Sequence, residues 1–182
     1  MQVTILIPSV RELSKEFMKS IKGRKFIILK NEKVNPYYKL ITMCETEFFY
    51  FLEDDDLLAK SFPNDIDLPP EYDGMTGSYL QHQNMEIDKT YKTRRITDIT
   101  KENFQLGQVI FRNNEKVVNL FKDALKCDYC TLGCTHNDYF IYNEIRALKT
   151  EKFFFIQGTK GDNISTNLEK SFCKGCKYNK GF

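Results

Sequence analysis

One segment decides the fold of this chain: FFYFLEDDD, residues 48–56. Its first five residues are apolar or aromatic, which is typical of a short buried strand. The strand ends in four consecutive carboxylates, and adjacent carboxylates repel one another unless a cation neutralises them. The segment therefore predicts a site for a divalent cation at the end of a buried strand, where α/β sheets bind their ligands.

Strands and helices alternate before this segment. Apolar runs at Val3–Ile7 and Lys25–Leu29 predict two buried strands, and apolar residues at helical spacing predict helices over Arg11–Ile21 and Pro36–Cys44. Strand–helix–strand units join parallel strands through right-handed crossovers. We therefore predict an α/β fold with a mostly parallel central sheet flanked by helices.

The rest of the chain continues this pattern less regularly. Prolines exclude regular structure from residues 61–72, and residues 81–103 have the polar, basic composition of a loop over a site. Further strands and helices are predicted at Gly74–Leu80, Gln108–Phe111, Glu115–Leu125, Asn137–Leu148 and Phe153–Ile156. A helix that starts at Leu57 is an alternative for the residues after the acids.

Composition places the chain in the class of compact intracellular domains. It has 182 residues, 14% aromatic and 29% charged, with a formal net charge of +2. This is enough material for one hydrophobic core, and no apolar run reaches the roughly 20 residues of a membrane span. We therefore expect a cytoplasmic protein. Basic residues cluster at 89–101 and 170–180, which is compatible with an anionic partner.

In this order, the segments resemble the inverting family-two group of GT-A fold glycosyltransferases. The resemblance spans roughly residues 3–157 and is carried by four features. They are the first strand ending at Pro8, the acids after the third strand, the segment Gly107–Arg112, and Asn137-Asp138 with Arg146 eight residues further on. It implies a single nucleotide-diphospho-sugar transferase domain at residues 1–157, with a C-terminal tail at residues 158–182.

The resemblance also implies an activity and roles for residues. It implies metal-dependent transfer of a hexosyl or pentosyl group, with inversion, from a nucleoside diphosphate sugar to an acceptor hydroxyl. Asp55 and Asp56 would hold Mn²⁺ or Mg²⁺, although a second frame of the acid run pairs Asp54 with Asp56. Asp138 would be the catalytic base. The remaining donor contacts would come from Pro8, Asn31, Glu32, Glu53, Asp54 and Arg146.

Each of these roles has a structural alternative. The acids could complement the dipole of a helix N-terminus, and Asp138 could be an N-cap, for which Asn and Asp are preferred. The family usually has Glu where this chain has Asn137, so one supporting carboxylate is missing. His82 and His136 are candidates for a ligand or proton carrier, or are surface polar groups.

The cysteines form a second pattern. Cys127-x-x-Cys130 and Cys173-x-x-Cys176 each have the spacing with which two thiolates bind tetrahedral Zn²⁺, and together they predict a structural zinc site that attaches the tail to the domain. Cys134 or His136 could replace one ligand. Free thiols, disulfides and an iron–sulphur cluster are the alternatives. Cys44, on an apolar helix face, is predicted to be a buried thiol.

The acceptor is the least determined part of the prediction. The basic residues fit an acceptor on nucleic acid, such as a hydroxymethylated base in DNA, whereas a glycan is the commoner acceptor in the family. The alternative function is of a different class: a nucleic-acid-binding module that a zinc site stabilises and that has no catalytic activity. The sugar, the nucleobase and the oligomeric state are not determined by the sequence.

Overall fold

The computed structural model of the protein describes residues 1–32, 36–83, 92–97, 99, 104–124 and 141–157. At residues 81–83, 92–94 and 123–124 it describes the backbone alone. The tail at residues 158–182 lies outside the described residues, so the predicted division into domain and tail stays a prediction.

The described part of the chain contains eight strands, three helices and further helical residues at 141–144. The strands are β1 (Val3–Ser9), β2 (Lys25–Lys30), β3 (Phe48–Phe51), β4 (Leu57–Leu58), β5 (Gly74–Gln83), β6 (Lys92–Ile96), β7 (Val109–Arg112) and β8 (Ala147–Gln157). The helices are α1 (Lys15–Ser20), α2 (Pro36–Thr42) and α3 (Glu115–Ala124). A 3₁₀ turn at Leu106–Gln108 leads into β7.

All eight strands join one sheet in the order β2-β1-β3-β7-β5-β8-β4, with β6 paired to β5. The predicted α/β class is confirmed. The three strands at one end, β2, β1 and β3, are parallel as predicted. Their carboxyl ends therefore meet at the same edge of the sheet.

The rest of the sheet is mixed, so the prediction of a mostly parallel sheet needs correction. Strand β7 runs antiparallel to both β3 and β5, while β8 is parallel to β5 and antiparallel to β4. Parallel neighbours require a long crossover, usually helical, whereas antiparallel neighbours do not. Among the described residues between β3 and β7 the only helical segment is the 3₁₀ turn, so this half of the chain reverses direction instead of crossing over.

Several element boundaries differ from the prediction for local reasons. Helix α1 starts at Lys15 and not at Arg11, because the side chain of Ser14 caps it by accepting a hydrogen bond from the Phe17 amide at 3.0 Å. Leu57–Leu58 form a strand that pairs with β8, so the alternative of a helix after the acids is wrong. The helix predicted to reach Leu148 ends earlier, since Ala147 already begins β8; residues 141–144 are helical. Cys44 is a free, buried thiol as predicted.

Two apolar clusters cover the two faces of the sheet. Phe17 of α1 packs with Tyr50, Ile110 and Phe154 on one face. Leu40 of α2 and Phe121 of α3 pack on the other face with Phe49, Phe51 and Phe111. Strand β3 is thus enclosed on both faces, and all four of its residues are at most 1% exposed. A strand fixed in this way holds the residues that follow it in a defined position.

At the strand ends opposite the acids, the polar side chains of Arg112 and Asp73 are hydrogen-bonded within the protein. Arg112 donates hydrogen bonds to the carbonyls of Leu68 and Tyr72 and forms an ion pair with Glu47. Asp73 accepts from the Arg146 amide at 3.0 Å and from Lys116 at 2.6 Å. Within the described residues, no helix has both the length and the apolar character needed to span a bilayer.

Candidate functional site at the carboxyl ends of β1, β2 and β3

The carboxyl ends of the three parallel strands are connected by backbone hydrogen bonds. The Asn31 amide, just after β2, donates to the Ser9 carbonyl at the end of β1 (2.8 Å). The Leu52 amide, just after β3, donates to the Leu6 carbonyl (3.1 Å). Asn31 adopts a φ of 56°, a left-handed conformation that Asn tolerates better than most residues. The connections after β1, β2 and β3 therefore form one continuous surface.

Asp54 attaches the acid run to the loop after β1. Its Oδ2 accepts hydrogen bonds from the Ser9 hydroxyl and the Val10 amide, both at 3.0 Å. Its Oδ1 lies 3.1 Å from Nε of Arg11, an ion-pair contact without the alignment of a hydrogen bond. The Asp54 side chain is only 8% exposed. The structure thus brings Pro8, Ser9 and Arg11 to the acid run.

Glu53 and Asp55 carry charge that their surroundings disfavour. Burial raises the pKa of Glu53 to about 7, with further upward contributions from Asp55 and Asp54; a hydrogen bond from Tyr37 and the charge of Arg11 oppose this rise. Burial also raises the pKa of Asp55, which Arg11 again opposes. Burial, more than repulsion between the acids, therefore disfavours the ionised form of Glu53 and Asp55.

Asp56 and Tyr50 lie deeper than the other polar groups of the site. Asp56 is 7% exposed, and its amide donates to the Glu53 carbonyl at 3.1 Å. The Tyr50 side chain is fully buried, and its hydroxyl has no hydrogen-bond partner among the described residues. Burial raises the pKa of Tyr50 well above its usual value, and the charges of Asp56 and Glu53 raise it further.

The donor chemistry of the acid run fits a hard divalent cation. Mg²⁺ usually takes one or two protein carboxylates and completes its shell with water and substrate phosphates. Asp54 lies beside Arg11 and Glu53 accepts a hydrogen bond from Tyr37, while Asp55 and Asp56 stay the predicted pair for a cation. No group of three or more His, Cys, Asp or Glu side chains suited to hold a metal occurs within the described residues. Two carboxylates would supply the protein's share of such a shell, and substrate phosphates and water would supply the rest.

Not every candidate residue belongs to this surface. Arg146 lies at the opposite edge of the sheet, where its guanidinium stacks on the Tyr72 ring at 4.8 Å. Glu32 follows β2 at the correct edge and forms an ion pair with Lys39 of α2. Seven candidates lie outside the described residues: Asp138, His136, Cys127, Cys130, Cys134, Cys173 and Cys176; for His82 the backbone alone is described.

Sequence reasoning missed three side chains that shape the site: Ser9, Arg11 and Tyr37. Ser14 was the available signal for Arg11, because a good N-cap at Ser14 places Arg11 in the loop and not in the helix. The roles of Ser9 and Tyr37 depend on partners about 45 and 16 positions away along the chain, so no local pattern could show them.

Comparison with solved structures identifies the fold. The structure of S. aureus TarS 1-349 in complex with UDP-GlcNAc matches with a TM-score of 0.51 and 12% identity, covering 91% of this chain and 61% of that chain. The structure of S. aureus TarS matches with a TM-score of 0.50 and 11% identity, covering 87% and 37%. A glycosyltransferase involved in glycosylation of the major capsid of PBCV-1 matches with a TM-score of 0.41 and 13% identity, covering 86% and 93%.

The chain therefore has a GT-A-like glycosyltransferase fold, as the sequence resemblance implied. It spans less than two thirds of the TarS structures that it matches. No family model and no curated protein sequence matches the chain.

Two tyrosines test the description of the site. Tyr50→Phe removes a buried hydroxyl without a described partner, and such a group costs about 1–3 kcal/mol. We expect this variant to be more stable than the unaltered protein by about 1 kcal/mol in urea unfolding without ligand. Tyr37→Phe removes a hydrogen bond to Glu53 and is expected to lower stability by about 1 kcal/mol. A loss of stability in Tyr50→Phe equal to that in Tyr37→Phe would contradict the description.

Proposed function

We propose that the protein is a metal-dependent inverting glycosyltransferase that transfers a sugar from a nucleoside diphosphate sugar to an acceptor hydroxyl. One observation carries this proposal: within a GT-A-like fold, the carboxyl ends of β1, β2 and β3 meet at a run of four acids. In open α/β sheets, ligands bind in the crevice at this edge. UDP-GlcNAc, which is bound in one matching structure, is the first donor to test.

Each residue at this edge has a proposed part. Asp55 and Asp56 would hold Mn²⁺ or Mg²⁺, and the bound cation would offset the charge that develops on the departing diphosphate. Pro8, Asn31, Glu32 and Glu53 are the proposed donor contacts, because they lie at or directly after the ends of β1, β2 and β3. Arg146 is less well supported as a donor contact, since it lies at the other edge of the sheet.

Asp138 is proposed as the general base that takes the proton from the acceptor hydroxyl. This part of the proposal rests on the sequence resemblance, because Asp138 lies outside the described residues. A carboxylate within hydrogen-bond reach of the attacking hydroxyl typically contributes 10²- to 10⁴-fold to the rate.

The acceptor is proposed to be a hydroxyl on a glycan or on a hydroxymethylated base in DNA. A cavity of about 220 Å³ lies on the sheet face that carries α2 and α3, and its lining includes three threonine hydroxyls, Lys149 and the Tyr142 ring. Hydroxyls, a cation and an aromatic ring suit either acceptor. Transfer to DNA should weaken steeply as salt rises, since phosphate contacts release counterions. DNA transfer insensitive to salt would remove that acceptor.

Asp55→Asn tests the donor site. With Mn²⁺ present, we expect the affinity for UDP-GlcNAc to fall roughly tenfold or more, because one carboxylate ligand is lost. Without ligand, thermal stability should rise slightly, since the raised pKa shows that the charge of Asp55 is disfavoured in the fold. The exposed Asp67→Asn is the matched control and should change neither quantity. The same affinity in Asp55→Asn, or in EDTA as in Mn²⁺, would refute metal-dependent donor binding.

Asp138→Asn tests the catalytic base. We expect kcat for sugar transfer or donor hydrolysis to fall about 10²- to 10⁴-fold, while the Kd of UDP-GlcNAc stays unchanged. Glu144→Gln, which alters an exposed acid nearby in the sequence, should leave kcat unchanged. Full activity in Asp138→Asn would assign the base elsewhere.

The zinc site on Cys127, Cys130, Cys173 and Cys176 is also a proposal, supported by the spacing of the two pairs alone. Metal analysis of the purified protein should find one zinc per chain, and Cys173→Ser should lower both zinc content and thermal stability. Cys44→Ser, at a buried thiol remote in sequence from the pairs, should retain the zinc. Zinc content unaffected by Cys173→Ser would exclude this ligand set.

A further inference from the structure

We propose that Arg11, held in position by Asp54, contacts the diphosphate of the nucleotide sugar, and that Asp54 is a positioning residue and not a ligand of the cation. This inference rests on the proposed function, because it names a donor contact within the same site. It reassigns one of the four acids and adds a residue that lies outside the acid run.

Both carboxylate oxygens of Asp54 already have partners within the protein. An ionised carboxylate offers about four acceptor positions. The Ser9 hydroxyl and the Val10 amide occupy Oδ2 at 3.0 Å, and Nε of Arg11 lies 3.1 Å from Oδ1. The three partners are the last residue of β1 and the two residues that follow it. Coordination of a cation by Asp54 would require the release of these contacts.

The loop that carries Arg11 is fixed from several sides. Ser9 is 3% exposed, its hydroxyl donates to the Arg11 carbonyl at 2.8 Å, and its carbonyl accepts from the Asn31 amide at 2.8 Å. The backbone of Arg11 is therefore attached to β2, and its side chain is attached to Asp54. A guanidinium oriented in this way loses little conformational freedom when it binds a ligand.

The position of the Arg11 guanidinium suits an incoming diphosphate. Its Nε lies 3.1 Å from Oδ1 of Asp54, the acid between Glu53 and Asp55, and its charge lowers the pKa of both neighbours against the stronger effect of burial. The side chain is 30% exposed. The acid run by itself repels a diphosphate, and a guanidinium with further N–H donors beyond Nε supplies positive charge and bidentate hydrogen bonds to phosphate. Arg11 and the cation would thus neutralise the diphosphate from two sides.

The test measures binding of nucleoside diphosphates (UDP, ADP, GDP, CDP and dTDP) with Mn²⁺ by calorimetry, and binding of the matching nucleoside by ligand-observed NMR. For Arg11→Gln we expect roughly tenfold weaker diphosphate binding, the loss of a charge-assisted hydrogen bond, with unchanged nucleoside binding. Arg11→Lys should recover part of the loss. Asp54→Asn should weaken diphosphate binding severalfold and also leave nucleoside binding unchanged. Lys30→Gln, at an exposed cation that ends β2, is the control and should bind like the unaltered protein.

Two results separate this inference from the proposed function. If the unaltered protein binds a diphosphate and Arg11→Gln binds it equally well, or loses diphosphate and nucleoside affinity alike, Arg11 does not contact the diphosphate and the inference fails alone. If the unaltered protein binds none of the five diphosphates, the proposed function fails and the inference fails with it. A loss of metal-dependent binding in Asp54→Asn that Arg11→Gln does not share would make Asp54 a cation ligand and overturn its positioning role.

Discussion

The repulsion among four carboxylates at the end of β3 is the constraint on which the site depends. Two unit charges 4 Å apart repel by about 4 kcal/mol at an effective dielectric constant of 20, so such a run persists only with compensation. Arg11 compensates Asp54 through an ion pair, and Tyr37 donates a hydrogen bond to Glu53. A divalent cation bound at Asp55 and Asp56, as proposed, would add the compensation that carboxylates side by side require.

The packed sheet holds the four adjacent carboxylates in a fixed position. Each face of β3 is covered by aromatic side chains, and the Phe49 ring alone packs against the rings of Phe51, Phe111 and Phe121. The two ends of the strand are then used differently. At one end Arg112 donates to the Tyr72 carbonyl and Asp73 accepts from the Arg146 amide, so these polar groups have partners within the protein. At the other end burial raises the pKa of Glu53 to about 7. Perturbed pKa values of this kind cluster at functional sites, which makes the end with the acids the candidate for ligand binding.

The sequence predicted the half of the molecule whose signals are local. Strands β1, β2 and β3 follow from short apolar runs, and their parallel pairing follows from the helices between them. The other half depends on pairing at a distance. Leu57–Leu58 become a strand only because β8 lies beside them, and the charged start of β8 at Lys149–Lys152 has no strand pattern of its own. In the site, the sequence predicted where the acids lie along the chain. It could not predict the hydrogen bond from Ser9 to Asp54, because nothing in the sequence distinguishes one of the four acids from the others.

Tyr50 shows that the site extends below the acids into the core. Phe occupies the other three positions of β3, and a fourth would serve the core better, because a buried hydroxyl without a partner costs about 1–3 kcal/mol. The backbone makes room for this hydroxyl, since a Cβ on Gly107 would lie 3.2 Å from its oxygen. Departures from core chemistry of this kind concentrate at functional sites. The Tyr50 hydroxyl, whose pKa the charges of Asp56 and Glu53 raise, is therefore better explained as a polar group of the candidate site than as a group that packs the core.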